Sequence, residues 1–196
     1  DQNLADKFSE KLELPTGVDH IEGLVWLNVD DAAADTAIAE PMRVILLHTT
    51  LDEEPQYWLY RADNYQLLTE TAISLSQIAD ELADVSRLDA SFNDAAGNAW
   101  LVSGTDFFYQ PKHRLTWEHQ HRELGKVDSN FEELTQIDAA FVDRDRKLYL
   151  FAGDQYLRSS EGLPQVDEGY PQSLTGNWAQ EHGFELPPAY DAAIDA

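Results

Sequence analysis

The chain has 196 residues, with 37 acidic against 13 basic side chains and a formal net charge of -24. That balance excludes the basic surface a nucleic-acid partner needs and opposes binding to anionic membranes. No stretch is long and apolar enough to span a bilayer, cysteine is absent, and the length suits one domain, or a piece of one, with a sizeable core.

Residues 2–12 read as a short helix, with Leu4, Phe8 and Leu12 at i, i+4 and i+8. Leu14-Pro15-Thr16-Gly17 ends it. Residues 21–28 read as a strand, and 29–41 as an acidic, Ala-rich surface loop. Met42 to Thr50 is a buried strand; Gln56 to Tyr65 is its hairpin partner across the turn Asp52-Glu53-Glu54-Pro55. Thr71 to Val85 has the clearest helical spacing, with Leu75, Ile78, Ala79 and Leu82 on one face and a capping-box pattern, Ser74 to Gln77, at its start. Residues 112–122 read as one long outer strand. The segments 127–134 and 175–182 read as short helices.

Two stretches superpose without a gap after a shift of 49 residues: LDASFNDAAGNAWLVSGTDF at 88–107 and IDAAFVDRDRKLYLFAGDQY at 137–156. Asp89, Ala90, Phe92, Asp94, Leu101 and Gly104 fall on Asp138, Ala139, Phe141, Asp143, Leu150 and Gly153. Trp58 to Tyr65 repeats the second strand, and Ile194-Asp195-Ala196 begins a further copy. Repeats of this length signal a propeller or solenoid, because one unit cannot bury its own apolar face. Trp58, Tyr60, Trp100, Tyr149, Phe151 and Tyr156 are expected to pack between units, and Trp178 to anchor a closing helix.

These residues resemble the hemopexin repeat: a DAAF-like inner strand, an aromatic strand ending in Gly153-Asp154-Gln155-Tyr156, and a later Val166-Asp167-Glu168-Gly169-Tyr170-Pro171. The resemblance is strong over 137–178, clear over 88–134, partial over 57–66 and poor over 1–40. It implies a mainly β fold, a four-bladed β-propeller with short blade-closing helices, of which about three blades are evident. On that frame residues 1–20 are the tail of a preceding blade, 21–87 a blade with an insertion, 88–136 and 137–193 two further blades, and 194–196 the start of the next. Either residues 1–40 supply the fourth blade or it lies outside the chain. The ends read as cut from a longer protein. Animal members commonly tie first blade to last with a disulfide; its absence here favours a bacterial source.

The resemblance also implies a structural ion in the central channel. Main-chain carbonyls at Asp89, Asp138 and Asp195, with Glu22 in the first blade, would face a cation such as calcium; carbonyl oxygens are hard ligands suited to it. The amides of Ser91 and Ala140 would face a chloride. The plainer alternative is that the Asp side chains brace neighbouring turns. His113, His119 and His121 share strand parity, and the i, i+2 pair could chelate a metal or present a haem ligand. In the archetypal serum protein, however, haem sits between two propellers and a linker. The run Asp143 to Lys147 resembles half a calcium loop but lacks its Gly and distal Glu, so it reads as a hairpin turn.

No nucleophile elbow, phosphate-cradling glycine loop or His-Glu-x-x-His motif is present, and no catalysis is expected. The expected function is a non-catalytic binding module: a platform for a protein or glycan receptor, or for other subunits of a larger assembly, within a larger secreted, toxin-like bacterial protein. The alternative is a carrier of haem, metal or a cationic small ligand.

Overall fold

In a computed structural model, residues 12–29, 42–104, 106–121, 137–163 and 165–183 are described, without the side chains of Gln120 and His121. Three antiparallel sheets follow one another along the chain. The first holds β1 (Gly23–Val29), β2 (Met42–Leu51) and β3 (Glu54–Arg61). The second holds β4 (Ala90–Asn93), β5 (Ala99–Ser103), β6 (Asp106–Gln110) and β7 (Glu118–His121). The third holds β8 (Ala139–Val142), β9 (Leu148–Ala152), β10 (Gln155–Ser159) and β11 (Gln172–Ser173), closed by α1 (Leu174–His182). The first strands of the sheets, β1, β4 and β8, lie side by side in that order. The sheets are therefore blades around an axis, as the repeat predicts.

The repeat fixes register as well as shape. Gly23 faces His48, Ala90 faces Val102, and Ala139 faces Phe151. One residue earlier, Glu22, Asp89 and Asp138 each donate a main-chain hydrogen bond to the carbonyl of that facing residue, at 3.1, 2.8 and 2.8 Å. Glu22 is thus the first blade's counterpart of the two aspartates. The Asp143 run is a hairpin turn: Asp143 N–H donates to Lys147 O at 2.9 Å, and Lys147 N–H to Asp143 Oδ1 at 2.8 Å. Asp52 and Glu53 make the other predicted turn with φ of 52° and 66°, the left-handed pair a two-residue hairpin requires.

Apolar burial joins the blades. Val25, Leu27 and Val29 pack with Leu101, Phe108 and Trp117 between the first and second. Phe92, Trp100, Phe107, Ala139 and Tyr149 share the cluster of the second and third. Of the predicted inter-blade aromatics, Trp100, Tyr149, Phe151 and Tyr156 lie in the cluster of the second and third blades, whereas Trp58 and Tyr60 are buried in a separate cluster with Leu12, Ile45 and Leu47 on the first. Trp178 pins α1 to the third blade, with ring centroids 5.0 Å from Tyr156 and 5.1 Å from Phe151. Among the described residues, Leu115 is the exposed large apolar side chain.

Three readings are corrected. Residues 71–85 form no continuous helix but two short 3-10 turns, Leu75–Gln77 and Asp80–Leu82. Between them Ala79 is extended, with φ -161° and ψ 147°. Ser76, Asp80 and Asp84 compete with the helical backbone, while Leu75 and Leu82 are drawn separately into the apolar cluster between the first two blades. The Gln77 side chain does accept from Ser74 N–H at 2.9 Å. The strand expected over 112–122 is confined to β7, because Arg114 N–H turns back to Pro111 O at 2.9 Å. With that turn the shared parity of His113 and His119 disappears. Finally, β1 extends to Val29, one residue into the expected loop. The expected helices over 2–12 and 127–134 lie, but for Leu12, outside the described residues, as do 30–41 and 184–196.

His48 is 2% exposed and its Nε2 lies 2.9 Å from Ser91 Oγ of the second blade. Its ring fills the space a first-strand side chain would take. A Cβ on Gly23 would stand 2.1 Å from His48 Nε2 and 2.7 Å from Ser91 Oγ. Gly23 with His48 is a compensated pair, replacing the Ala90–Val102 pairing of the second blade. Gly23→Ala is therefore expected to destabilise by about 1–3 kcal/mol through overpacking. His48→Val in the same chain should recover most of that loss. Urea denaturation of both single variants and the double variant measures the coupling; additive losses would contradict the pairing.

Candidate functional site

Regions that could carry function include the axial ends of the inner strands, the strand bearing His119, and the cleft between the second and third blades. At the axis the carboxylates are engaged by turns. Asp89 Oδ2 accepts from Gly104 N–H at 2.5 Å, and Asp138 Oδ2 from Gly153 N–H at 2.6 Å. Both glycines have φ 57°, a conformation costly for other residues. Arg87 Nε lies 3.3 Å from Asp89 Oδ1, and His20 Nε2 lies 3.8 Å from Glu22 Oε1. The two aspartate side chains thus brace the hairpins. Any ion role falls to the main chain. The crowding that role needs is present: Ala90, Ser91, Ala139 and Ala140 are all buried. Asp195 lies outside the described residues.

The three histidines do not lie on one strand. His113 sits in the turn after β6, while His119 is in β7. His119 Nε2 bonds Asp106 Oδ1 at 2.9 Å, and its ring stacks on Phe108 at 4.6 Å. The His121 side chain is outside the described set. Among the described residues no group of three or more His, Asp or Glu could hold a metal.

The cleft was not visible in the sequence. It encloses about 570 Å³ between the turn after β4 and the segment after β10. Its floor is Phe92, Trp100 and Leu148; Tyr109 and Leu163, both half-buried, line its sides. The Tyr109 ring lies 4.6 Å from that of Trp100. Desolvation, aided by Asp94 and Glu118, raises the Tyr109 phenol above its ordinary value, so it stays protonated and can donate. Asp94 is consumed by its own turn, accepting from Ala96 N–H, Asn98 N–H and Trp100 Nε1 at 2.9, 3.0 and 3.0 Å. Asp145, Arg146 and Glu161 are exposed at the rim.

A polar cluster behind the third blade is structural. Tyr156 and Tyr170 hydroxyls donate to Glu181 Oε2 at 2.8 and 2.7 Å. Arg158 joins Glu181 Oε1 to Asp167 Oδ2. Burial alone would raise the Glu181 carboxyl; the two tyrosines and Arg158 outweigh it and hold the group below its ordinary value. Burial likewise opposes, but Ser160 and Arg158 secure, a lowered Asp167.

Residues 137–180 match the Hemopexin family model. Stromelysin-3 of Xenopus laevis is 29% identical over 111 residues, which cover 55% of this chain and 21% of that protein. The chain therefore matches about a fifth of its curated relative's length. The hemopexin fold protein CP4 from cow pea aligns with a TM-score of 0.51 at 19% identity, over 77% of this chain and 72% of that one. A plant albumin from Cicer arietinum showing hemagglutination aligns with a TM-score of 0.53 at 15% identity, over 89% and 77%. The third blade is hemopexin-like in sequence, and the three blades together have the hemopexin propeller fold.

Proposed function

We propose that this protein is a non-catalytic binding module, a rigid propeller that recognises a protein or glycan partner as part of a larger secreted protein of toxin type. The observation that carries the reading is the inter-blade cleft. It is a preformed concavity with an apolar floor, a half-buried tyrosine and a few polar rim groups, the usual make-up of a recognition site. Phe92, Trp100, Tyr109 and Leu148 stand on strands of the second and third blades, so the floor of the site and its tyrosine are held on regular elements. The hemagglutinating albumin shares the fold, which makes a glycan a reasonable partner class to test. The frog relative, of which the match covers 21%, carries its matching segment within a much longer chain. The carrier alternative gains least from His119, whose ring is already bonded to Asp106 and stacked on Phe108.

At the axis, the carbonyls of Glu22, Asp89 and Asp138 are repeat-equivalent and would hold a structural calcium, with the Asp195 carbonyl as a further ligand. The amides of Ser91 and Ala140 would face a chloride. The supporting observations are the shared register and the small, buried residues around the axis. Such ions would brace the blades rather than serve recognition.

The test is a panel of immobilised glycans and extracellular-matrix proteins probed with the whole chain. Saturable binding that weakens at least about tenfold in Tyr109→Ala is expected, because a half-buried aromatic is a typical hot spot. Binding that survives Tyr109→Ala unchanged, or a Soret band on adding hemin with no panel binding, would overturn the reading.

A further inference from the structure

The repeat register shows what the cleft lacks. At the interface between the first and second blades, the edge of β1 is covered by two side-chain amides from the second blade. Asn93 takes the Trp26 amide and carbonyl at 2.9 and 2.7 Å. Gln110 takes those of Asn28 at 2.7 and 2.8 Å. Asn28 Nδ2 in turn donates to Lys112 O at 2.8 Å. The interface is filled because β1 runs seven residues, to Val29.

One blade later the equivalent strand, β4, stops after four residues at Asn93. The chain then folds back at the Asp94 turn. In the established register, Val142 replaces Asn93, Ser159 replaces Gln110, and Glu161 replaces Lys112. The Ser159 hydroxyl is spent on Gln165 O. The cleft is therefore the space filled by strand in the preceding interface, left open here. Without the two amides it cannot receive a backbone in the same way. It offers side-chain chemistry instead: an apolar floor, the Tyr109 ring and phenol, and the Asp145 and Glu161 carboxylates against the single Arg146 guanidinium.

We propose that the cleft receives one lysine or arginine side chain of a partner protein. The aliphatic stem lies on Leu163 and the Tyr109 ring, and the cationic head meets Asp145 and Glu161. An amphipathic side chain suits such a place, since its stem is apolar and its head charged, and a cation near a tyrosine face adds attraction. The inference rests on the binding-module reading and names the partner as a protein rather than a glycan.

The probe is trilysine amide, with the tri(Nε-acetyl-lysine) peptide as the uncharged control, titrated into the whole chain at about 0.15 M salt, where distant charges are screened. Asp145→Asn with Glu161→Gln changes the formal charge from -24 only by two units, so attraction to the acidic surface at large would barely change. The expected result is binding of trilysine but not of the acetylated peptide, weakened at least about tenfold in the double variant and in Tyr109→Ala. Binding by the double variant within twofold of the original chain would overturn the proposal, as would no trilysine binding at all. A glycan from the panel that binds and is lost with Tyr109→Ala, while trilysine fails, would also overturn it, yet would leave the binding-module reading intact.

Discussion

Acidification from pH 6.5 to about 4 will cost the fold about 3 kcal/mol through His48 alone. Complete burial pushes this imidazole from 6.5 down to about 4. The folded state therefore holds it neutral, while the unfolded chain takes up a proton as pH drops through 6.5. The stabilising contribution is complete above the unfolded value and is lost as pH falls toward the folded value. The groups around it give the imidazolium little help. Ser91 Oγ is its hydrogen-bond partner, Tyr57 stands opposite across the strand pair, and the Glu22 and Asp89 carboxylates beside Tyr57 interact with that phenol, along with Arg87. Two other effects run in parallel. Protonating exposed carboxylates relieves the repulsion of a chain carrying -24. Asp167 and Glu181 are both held below their ordinary values of 3.8 and 4.5, so the stability they lend is whole in the upper part of this window and starts to be lost at its acid end.

The comparison that isolates His48 is Gly23→Ala/His48→Val, which restores the pairing of the second blade. Urea midpoints measured from pH 7.5 to 4.5 should fall more steeply in the original chain than in the double variant. Parallel curves would show that His48 titrates normally and is not buried between the blades.

Arg158→Met is expected to destabilise by about 1–3 kcal/mol, since removing one partner of a half-buried ionic cluster leaves the others short of a hydrogen-bonded counter-charge. Arg158 Nε donates to Asp167 Oδ2 at 2.5 Å, another guanidinium nitrogen reaches Glu181, and the guanidinium carbon lies 4.8 Å from the Tyr170 ring centre. Its loss leaves Glu181 with the two tyrosine hydroxyls and Asp167 with Ser160. A drop in Tm of about 2–12 °C follows for a chain of this size. Because Glu181 is on α1, the helix should loosen first, and Trp178 fluorescence should report it before the far-UV signal changes. Arg158→Lys keeps the charge but not the forked geometry, and should recover part of the loss. A change below about 0.5 kcal/mol in Arg158→Met would mean that the cluster is a surface ornament.

What was legible in the sequence was what the repeat duplicates. Asp89 and Asp138 announced equivalent inner strands, and both open such a strand and brace a glycine turn 15 residues on. Asp143 announced a turn, and Trp178 a helix anchor, from local chemistry alone. His48 stayed hidden because its meaning depends on a missing Cβ at Gly23 and a hydroxyl at Ser91, neither close in sequence. The 71–85 segment misled because apolar spacing fits a helix equally well when two leucines are buried by separate turns. The cleft leaves no mark in the repeat pattern because it arises from a difference between repeats, a shorter β4 and two lost amides, and not from what they share.

The most direct measurement of the central claim is hydrogen–deuterium exchange of the whole chain with and without the partner retrieved from the panel. Recognition in the cleft predicts added protection at the turn after β4, at the 143–147 turn and at 160–163. Protection centred instead on the inner-strand ends at Glu22, Asp89 and Asp138, or on β7 at His119, would contradict the account.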